Sequence, residues 1–432
     1  MIDIQYIRDN PKDVEVKSKQ KGYPVDVSSL LKLDEQRRSL LVSIDHLRTQ
    51  RNDLSRAAKG RKPSEAEQAK GRDLKQTLSI EEAKLKLVDE QFYLALRAVP
   101  NMPLSIVPIG SSEDDNVIVK TVNPKPKFTF EPKAHHLIGE SRDFIDKTRA
   151  AKVSGSRFAY IKGDLVRLQF AIVSYVISLL TSRDFIDQIL KEQNLDLINH
   201  PFVPVIPPAM LKTAPYQASS RLNAEEVTYK IEQDDLWLNA SAEHTLCTML
   251  MDEIISVKEL PLRYLGYSTS FRREAGTYGK DEEGIFRLHQ FDKLEMEVFS
   301  TPETALAEHQ LLIGIQEHLL NQLGLSYQLI EKCSADIGKP NAKGVDINTW
   351  FPGQNRYRET HSSDYISDYQ SRDLKIRLKR ADGSLEFVHT NDATVFALGR
   401  FMAAIIENFQ NEDQSVNIPI VLQPFMGGTK TI

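Results

Sequence analysis

The sequence predicts an α+β protein in which an antiparallel hairpin of two long helices precedes an antiparallel β-sheet flanked by helices. Three observations lead to this fold class: two heptad-like runs near the amino terminus, hairpin-like spacing of the β-rich segments that follow, and no alternation of strands and helices of the βαβ kind. The sequence contains no glycine-rich phosphate loop, so side chains would have to hold any bound nucleotide. We place a domain boundary near residue 100, which gives domains of residues 1–100 and 101–432.

The first domain is predicted to be a coiled-coil arm. Apolar residues recur at spacings of three and four over residues 33–54 and again over 74–99, and Gly60 and Pro63 break the pattern between them. Helices of about 30 residues are about 45 Å long, so we expect the pair to project from the rest of the protein. Two arginines and Glu81 at seam positions leave open a helical pair packed along the body.

The turn between the two predicted helices is basic. Residues 56–75 hold seven basic and three acidic side chains, in a protein whose formal net charge is −5. A local positive patch is typical of a surface that binds a phosphate backbone, although a solvated charged face would have the same composition. The candidates for such contacts are Arg56, Lys59, Arg61 and Lys62.

The second domain is predicted from shorter patterns. Helices are expected near residues 165–180, 242–255, 302–323 and 399–411, and β-rich segments near 202–206, 264–272, 284–300, 374–379 and 385–389. The middle strands are spaced as in hairpins, without βαβ alternation, and this favours an antiparallel sheet with helices on its faces.

Composition excludes several classes of protein. Cys247 and Cys333 are too few and too far apart for a disulfide framework or a thiolate zinc site, so any metal would be bound by oxygen ligands. The amino terminus shows no secretory pattern, and the longest nearly apolar stretch, residues 170–180, is about half of what a membrane-spanning helix needs. We therefore expect a cytoplasmic protein without a membrane or DNA partner, since a net negative charge does not favour either.

The densest group of chemically active residues lies in segment 271–299. Residues Arg287, His289, Phe291, Lys293 and Glu295 alternate along its second half and would share one face of a strand. A solvated outer face rarely includes a phenylalanine. The pattern suits a nucleotide lying across the sheet, with its base on the aromatic ring and arginines on its phosphates.

The stretch Phe271-Arg-Arg-Glu-Ala-Gly276, followed by Arg287-Leu-His-Gln-Phe291, resembles motif 2 of the class II aminoacyl-tRNA synthetases in the form typical of the seryl-tRNA synthetases. The resemblance extends along nearly the whole chain. Its other landmarks are residues 1–11, the helical arm, residues 152–158, Pro207-Pro208, Tyr357-Arg358-Glu359 and Gly399-Arg400. It implies that serine is activated with ATP to seryl-adenylate, with release of pyrophosphate, and is then transferred to the 3′ end of tRNA(Ser) by a homodimer.

The resemblance also implies roles for individual residues in binding ATP. Arg272 would contact the α-phosphate and the serine carboxylate, and Glu274 the adenine amino group. Arg287 and Arg400 would hold the γ-phosphate end of ATP, with Phe291 against the base. Arg272 and Arg400 are thus the expected catalytic residues, because they spread charge that builds up in the transition state.

The resemblance further implies a Mg²⁺ site and a serine pocket. Glu359 and Ser362 correspond to the metal ligands, a carboxylate and a hydroxyl that suit a hard cation. Glu295 would accept hydrogen bonds from the substrate. The other residues implied in serine binding are Ser241, Glu243, Arg272 and Thr394.

Two segments depart from the pattern of the family. Residues 361–365 read His-Ser-Ser-Asp-Tyr where Ser-Ser-Cys-Ser-Asn is usual, and residues 392–395 read Asp-Ala-Thr-Val in place of Asn-Gly-Ser-Gly. The second change places a carboxylate instead of an amide near the amino-acid pocket. Two alternatives to a tRNA-charging enzyme therefore stay open: a relative that loads an amino acid onto a carrier protein, and a non-catalytic tRNA-binding relative.

Overall fold

The computed structural model describes residues 1–222, 228–274 and 283–432 of the chain. The chain forms two compact units, Met1–Met102 and Pro103–Ile432.

The first unit is helical. Its helices are α1 (Ile4–Asp9), α2 (Pro11–Gln20), α3 (Val27–Ala57) and α4 (Glu65–Ala98). Asp26 caps the start of α3, and Ser64 forms a capping box with Glu67 at the start of α4. The predicted pair of long helices is confirmed. The ends of the helices are fixed by local hydrogen bonds that the sequence specifies.

Ion pairs between α3 and α4 define an antiparallel hairpin. Arg37 lies 2.6 Å from Asp89, and further along the pair Arg48 lies 2.7 Å from Glu82. The guanidinium of Arg37 also lies 5.3 Å from the ring of Phe92. A charged residue at an apolar seam position is therefore accommodated by a carboxylate and an aromatic ring.

The second unit is built on a mixed set of strands and helices. Its strands are β1 (Val117–Val122), β2 (Ile145–Asp146), β3 (Tyr160–Ile161), β4 (Val203–Val205), β5 (Met210–Leu211), β6 (Lys230–Ile231), β7 (Leu236–Leu238), β8 (Ile254–Ser256), β9 (Leu262–Phe271), β10 (Gln290–Ser300), β11 (Tyr327–Glu331), β12 (Lys343–Phe351), β13 (Arg356–Ser367), β14 (Arg377–Lys379), β15 (Leu385–Phe387) and β16 (His389–Ala397). Its helices are α5 (His135–Ser141), α6 (Lys147–Ser154), α7 (Asp164–Leu180), α8 (Arg183–Glu192), α9 (Thr213–Ala218), α10 (Glu243–Leu246), α11 (Ala305–Gln322), α12 (Tyr369–Leu374) and α13 (Leu398–Asn408).

The main sheet runs in the order β1-β11-β12-β13-β16-β10-β9-β4. Neighbouring strands are antiparallel except β4 and β9, which are parallel. This confirms the predicted α+β fold with an antiparallel sheet. The neighbouring strands β16 and β10, in the interior of the sheet, place Glu295 opposite Thr394.

The two faces of β10 and β16 differ in polarity. Because side chains alternate along a strand, one face is apolar and packs with α7, α11 and α13 into the main hydrophobic core. The strand residues in this core include Leu294, Met296, Val298, Ala393 and Val395. The opposite face has acidic, basic and hydroxyl side chains, and this face forms the wall of a cavity.

Two expectations about local structure are wrong. A helix over residues 242–255 was expected, but α10 covers Glu243–Leu246 alone, and residues 254–256 form β8, which pairs in parallel with β14. The buried residues of this stretch mimic a helical pattern, whereas the pairing of β8 depends on a distant strand. In addition, β10 begins at Gln290, so Arg287 and His289 precede the strand.

Across the described ranges, no single helix has the length and apolar content needed to cross a membrane. Helices α7 and α8 have that length and apolar content only when taken together, and the pair is bent by 77°.

Candidate active site

A cavity lies on the polar face of β10, β13 and β16. Ten of the residues that the sequence predicted for the site line it: Glu243, Arg272, Glu274, Arg287, Phe291, Glu295, Glu359, Ser362, Thr394 and Arg400. These residues are far apart in the sequence, and the sheet brings them together. Their roles in binding and catalysis stay predictions.

One end of the cavity is formed by the segment after β9. The guanidinium of Arg272 lies 5.2 Å from the ring of Phe291, and its Nε donates to the carbonyl oxygen of Ala240 at 3.1 Å. This bond holds the arginine in a fixed direction beside the aromatic ring. A guanidinium can bind an anionic group of a ligand, and an aromatic ring beside it can stack on a flat one.

The carboxylate of Glu274 is bound by an arginine that precedes β10. The Arg287 guanidinium donates to it at 2.7 Å, and Glu274 has a left-handed backbone with φ of 50°. Such a conformation is uncommon for a residue with a side chain and often occurs where function requires it. Ala275 and Gly276, which complete the predicted motif, lie outside the described residues.

Arg400 stands near the start of α13, where Gly399 allows a close approach of two chain segments. A Cβ atom on Gly399 would lie 2.6 Å from the carbonyl oxygen of Ile285, so a larger residue would push α13 away from the cavity. The ring of Phe286 lies 5.0 Å from the Arg400 guanidinium and 3.8 Å from that of Arg358. Two arginines are therefore held next to one ring.

The other end of the cavity is a network of buried polar side chains. The Lys293 ammonium lies 2.5 Å from Glu295 and 3.6 Å from Glu243, and it donates to Ser241 at 2.8 Å. Ser241 in turn donates to Glu243. Ser241 itself is fully buried behind the cavity wall, where it supports Glu243 and Lys293; it does not line the cavity, whereas Thr394 does.

Burial and charge change the pKa values of these groups in different directions. Burial raises the pKa of Glu295 well above its usual range, although Lys293 opposes the shift. Burial has the same effect on Glu243, but Lys293 and His244 outweigh it and lower the pKa of that carboxyl. Burial raises the pKa of Asp392 to about 7 against the effect of Arg221. Shifts of this kind cluster at functional sites.

The predicted metal ligands, Glu359 and Ser362, both line the cavity. Loss of water opposes ionisation of Glu359, but Arg400 and Lys332 lower its pKa to about 2, so the group is a carboxylate at neutral pH. A carboxylate and a hydroxyl fit Mg²⁺, which takes oxygen ligands and keeps several waters. Among the described residues, no cluster of three or more acidic, histidine or cysteine side chains could hold a metal by itself.

Sequence reasoning missed part of the site. Lys293 was placed on the polar face by alternation but was given no role, and Asp364 was noted as a departure from the family without being assigned to the cavity that it lines. Asp392 was expected near the amino-acid pocket, and it does line the cavity. Arg221, which donates to Asp392, lies in a segment without a recognisable pattern. His289 does not line the cavity; its ring packs 5.4 Å from that of Phe158.

The four basic candidates of the first unit lie at the turn between α3 and α4. Their side chains are exposed. Arg61 pairs with Glu67 at 2.5 Å, and Arg56 lies 3.6 Å from Asp53, a distance at which the ion pair is weak. Asp53 lies in α3 and Glu67 in α4, next to the turn, and both reduce the positive charge that this surface presents.

Comparison with known families identifies both parts of the chain. Residues 228–409 match the model of the tRNA synthetase class II core domain (G, H, P, S and T), and residues 1–103 match the seryl-tRNA synthetase N-terminal domain. The fold is therefore that of a class II aminoacyl-tRNA synthetase.

Full-length relatives narrow the assignment. The chain is 36% identical to the serine–tRNA ligase of Geobacter sulfurreducens and 35% identical to that of Thermodesulfovibrio yellowstonii, over 100% and 99% of each chain. A solved seryl-tRNA synthetase from Pyrococcus horikoshii, complexed with ATP, is 35% identical, with a TM-score of 0.87 over 100% of this chain and 99% of that one. The corresponding Naegleria fowleri enzyme, in complex with AMP, is 28% identical, with a TM-score of 0.82 over 100% and 98%. The chain belongs to the seryl-tRNA synthetase family.

Proposed function

We propose that this protein is a serine–tRNA ligase that activates serine with ATP and transfers it to the 3′ end of tRNA(Ser). The observation that supports this best is the cavity itself, which brings three arginines, Arg272, Arg287 and Arg400, together with carboxylate and hydroxyl side chains. The phosphates of ATP need cationic side chains, and a small polar amino acid needs hydrogen-bonding groups. Both kinds of group must lie in one cavity for the two substrates to react. The full-length relative from Geobacter sulfurreducens is named a serine–tRNA ligase.

Activation depends on electrostatics more than on a protein base. When the serine carboxylate attacks the α-phosphorus, negative charge builds up on the phosphate oxygens before pyrophosphate leaves. Arg272, beside the ring of Phe291, would bind the α-phosphate while the base stacks on that ring. Arg400 and Arg287 would hold the γ-phosphate end, and Glu274 would accept from the adenine amino group.

The opposite end would hold serine. Glu243 and Glu295 accept hydrogen bonds and would bind the substrate ammonium, while Thr394 lies across the strand pair from Glu295. The Lys293 ammonium lies close to both acidic groups and donates to Ser241. A buried pocket that bonds to a hydroxyl rejects alanine, because its polar groups would be left without partners.

Mg²⁺ is part of the proposal. Glu359 and Ser362 would hold it near the phosphates, where a divalent cation reduces the charge repulsion between ATP and an attacking carboxylate. Arg400 is bonded to the same carboxylate at 2.9 Å. Positive charge from the ion and from the arginine would then act on one region of the substrate.

The assembly and the two domains complete the proposal. Residues 1–100 would bind tRNA through Arg56, Lys59, Arg61 and Lys62, and residues 101–432 would carry the chemistry. A homodimer is supported by exposed apolar side chains on and near α7 and β4, among them Phe170, Val203 and Ile206. We also propose a cytoplasmic location, where tRNA and ATP are both present.

The test is exchange between ATP and labelled pyrophosphate with each amino acid in turn, followed by charging of tRNA. We expect exchange with serine and charging of tRNA(Ser). Exchange without charging would favour an enzyme that loads a carrier. No exchange with any amino acid, while tRNA still binds, would instead indicate a non-catalytic relative. The Arg272→Ala variant, purified in the same way, controls for synthetase from the expression host.

A further inference from the structure

A buried carboxylate near the end of α13 connects that helix to two other segments. Glu407 is fully buried and accepts four hydrogen bonds. The backbone N–H and the ring Nδ1 of His135 donate to it at 3.0 and 2.9 Å, the N–H of Gly353 at 3.0 Å and the side-chain amide of Gln354 at 2.8 Å. Hydrogen bonds of this kind replace the water that a buried carboxylate has lost. Glu407 therefore fixes the start of α5 and the turn between β12 and β13 to the helix that carries Arg400.

The imidazole of His135 extends this network to a third segment. The backbone N–H of Ile285 lies 3.3 Å from Nε2 of the ring. A backbone N–H can only donate, so Nε2 accepts and the ring proton lies on Nδ1, from which it is donated to Glu407. The hydrogen bonds thus assign a separate role to each nitrogen of the buried ring.

A glycine allows the chain to approach the ring closely. Gly284 has a left-handed backbone with φ of 69°, and a Cβ atom at this position would overlap Nε2 of His135. A residue without a side chain meets both conditions. The contact between the ring and the segment that begins at Gly284 is therefore specified by the sequence of that segment.

The segment that His135 holds forms part of the cavity wall. Residues 285–287 line the cavity, whereas His135 lies behind them. Its bond to the backbone fixes the chain directly before Phe286 and Arg287. The Phe286 ring lies 5.0 Å from the guanidinium of Arg400. The bond therefore fixes the part of the wall where the γ-phosphate end of ATP is proposed to bind.

A second connection from the same carboxylate reaches the same ring. Gln354 donates to Glu407, and its amide oxygen accepts from Arg358 at 2.6 Å. The Arg358 guanidinium lies 3.8 Å from the ring of Phe286. A change at Glu407 would disturb both connections, whereas a change at His135 can interrupt one of them alone.

We infer that His135 is a positioning residue for the phosphate end of bound ATP. Through Nε2 it holds the backbone that presents Phe286 and Arg287, and Glu407 fixes the orientation of the ring that this bond requires. The inference rests on the proposed function, because that function places the phosphates beside Arg287. Without the bond the segment would shift, and a displacement of about 1 Å is enough to weaken the action of a binding group strongly.

Two amide side chains test the two ring nitrogens separately. His135→Asn has its amide near the position of Nδ1, so it can still donate to Glu407 but does not reach Ile285. His135→Gln reaches the position of Nε2, and its oxygen can accept from Ile285. In serine-dependent pyrophosphate exchange, we expect His135→Asn to raise the KM for ATP by about tenfold or more and to keep the KM for serine within about twofold. His135→Gln should keep the KM for ATP within about threefold of the wild type.

A control and a second variant accompany this test. His318→Asn is the matched control, because Nδ1 of His318 also lies next to a carboxylate, that of Glu192 at 3.3 Å, and neither residue lines the cavity. It should leave both KM values unchanged. Gly284→Ala displaces the ring from the other side and should raise the KM for ATP as His135→Asn does, so it decides the outcome if the asparagine variant does not fold. An unchanged KM for ATP in either folded variant, or equal increases for His135→Asn and His135→Gln, would overturn the inference.

Direct binding of ATP separates this inference from the proposed function. Labelled ATP, without serine, is brought to equilibrium by dialysis against the full-length wild type and His135→Asn, and we expect a Kd at least about tenfold higher for the variant. A wild type that binds ATP but catalyses no exchange with serine would contradict the proposed function, while the difference in Kd would still support the role of His135. Equal Kd values, with serine-dependent exchange by the wild type, would overturn this inference and leave the proposed function intact.

Discussion

The guanidinium of Arg400 donates to the carboxylate of Glu359 at 2.9 Å and to its carbonyl oxygen at 3.2 Å. The start of α13 is thereby bonded to the middle of β13 across the cavity. Arg400 is held in a position before any ligand binds, so its charge needs little reorganisation when a phosphate arrives. Charges arranged in advance in this way make the largest contribution to catalysis in many enzymes.

Loss of either predicted catalytic arginine should reduce activation of serine strongly. We expect Arg272→Ala and Arg400→Ala each to lower serine-dependent pyrophosphate exchange by at least about 100-fold, because each removes a charge contact that strengthens in the transition state. Arg380→Ala is the control, since that arginine pairs with Glu303 and Glu386 away from the cavity. Near wild-type exchange in either active-site variant would contradict the assigned role.

The proposed metal site predicts a changed Mg²⁺ requirement in a glutamine variant. Glu359→Gln keeps an oxygen that can accept from Arg400 but removes the negative charge that a hard cation needs. We expect the Mg²⁺ concentration for half-maximal exchange to rise by about tenfold or more. Glu386→Gln, which alters a surface carboxylate paired with Arg380, should leave the Mg²⁺ titration unchanged. Identical titrations for Glu359→Gln and the wild type would remove Glu359 from the metal site.

A buried histidine predicts acid sensitivity of the second unit. Burial lowers the pKa of His309 to about 4, although a hydrogen bond with the Ser363 backbone opposes the shift. Between pH 6.5 and 4 the unfolded chain then binds more protons than the folded one, so the free energy of unfolding from this group falls as the pH is lowered. The loss is about 1.4 kcal/mol per pH unit and about 3 kcal/mol in total.

The measurement is chemical denaturation between pH 4 and 7.5. His309→Gln removes the titrating group, so the variant should show a shallower loss of stability on acidification than the wild type. His200→Gln, at a half-buried position in the same unit, is the matched control and should keep the wild-type slope. Equal slopes for His309→Gln and the wild type would mean that this histidine does not control acid stability.

The sequence predicted those parts of the fold that depend on local patterns. The long helices follow from apolar spacing over residues 33–54 and 74–99, and the polar face of β10 follows from alternation along one strand. The strand order could not be predicted in the same way, because β16 lies between β13 and β10, and pairing between distant strands depends on tertiary packing. The error at residues 242–255 has the same origin, since β8 exists through its pairing with β14.

The site shows the same limit at the level of single residues. Motif resemblance pointed to Arg272, Glu274 and Arg400, because each lies in a recognisable stretch of sequence. The partnership of Arg221 with Asp392 had no sequence signal, since the two residues meet through folding alone. The placement of Asp364, Asp392 and Glu297 opposite one another on three strands could likewise be seen only once the register of those strands was known.

The segment from α7 to Pro208 predicts assembly into a homodimer. Phe170 on α7 is 54% exposed and Ile206 after β4 is 83% exposed, so a monomer would leave apolar surface in water. We expect sedimentation at micromolar concentration to show particles of twice the 49.1 kDa chain mass. Phe170→Glu should shift the protein towards monomer, whereas Val153→Glu, another exposed apolar position, should not. Sedimentation at the mass of one chain in the wild type would contradict the homodimer.

Shortening the arm should separate the two halves of the reaction, activation of serine and charging of tRNA. Every residue assigned to activation lies beyond position 240, so shortening the arm should leave serine-dependent pyrophosphate exchange largely intact. Deleting residues 45–82 and joining Ile44 to Ala83 through a short linker removes the tip but keeps the Arg37–Asp89 ion pair at the base. We expect charging of tRNA to collapse in this variant. Normal charging would make the arm a structural element without a role in tRNA binding.

Charge reversal at the tip tests the same surface without deletion. Changing Arg56, Lys59 and Lys62 to glutamate should weaken tRNA binding and reduce the dependence of the binding constant on salt. With fewer phosphate contacts, binding releases fewer counterions. Arg61→Glu should have a smaller effect, since its guanidinium is already paired with Glu67. Reversal of Lys12 and Lys19 on α2 is the control for a general change of net charge. Suppose that the triple variant, the control and the wild type all showed the same dependence of tRNA binding on salt concentration. That result would mean that phosphate contacts at the turn do not contribute to binding.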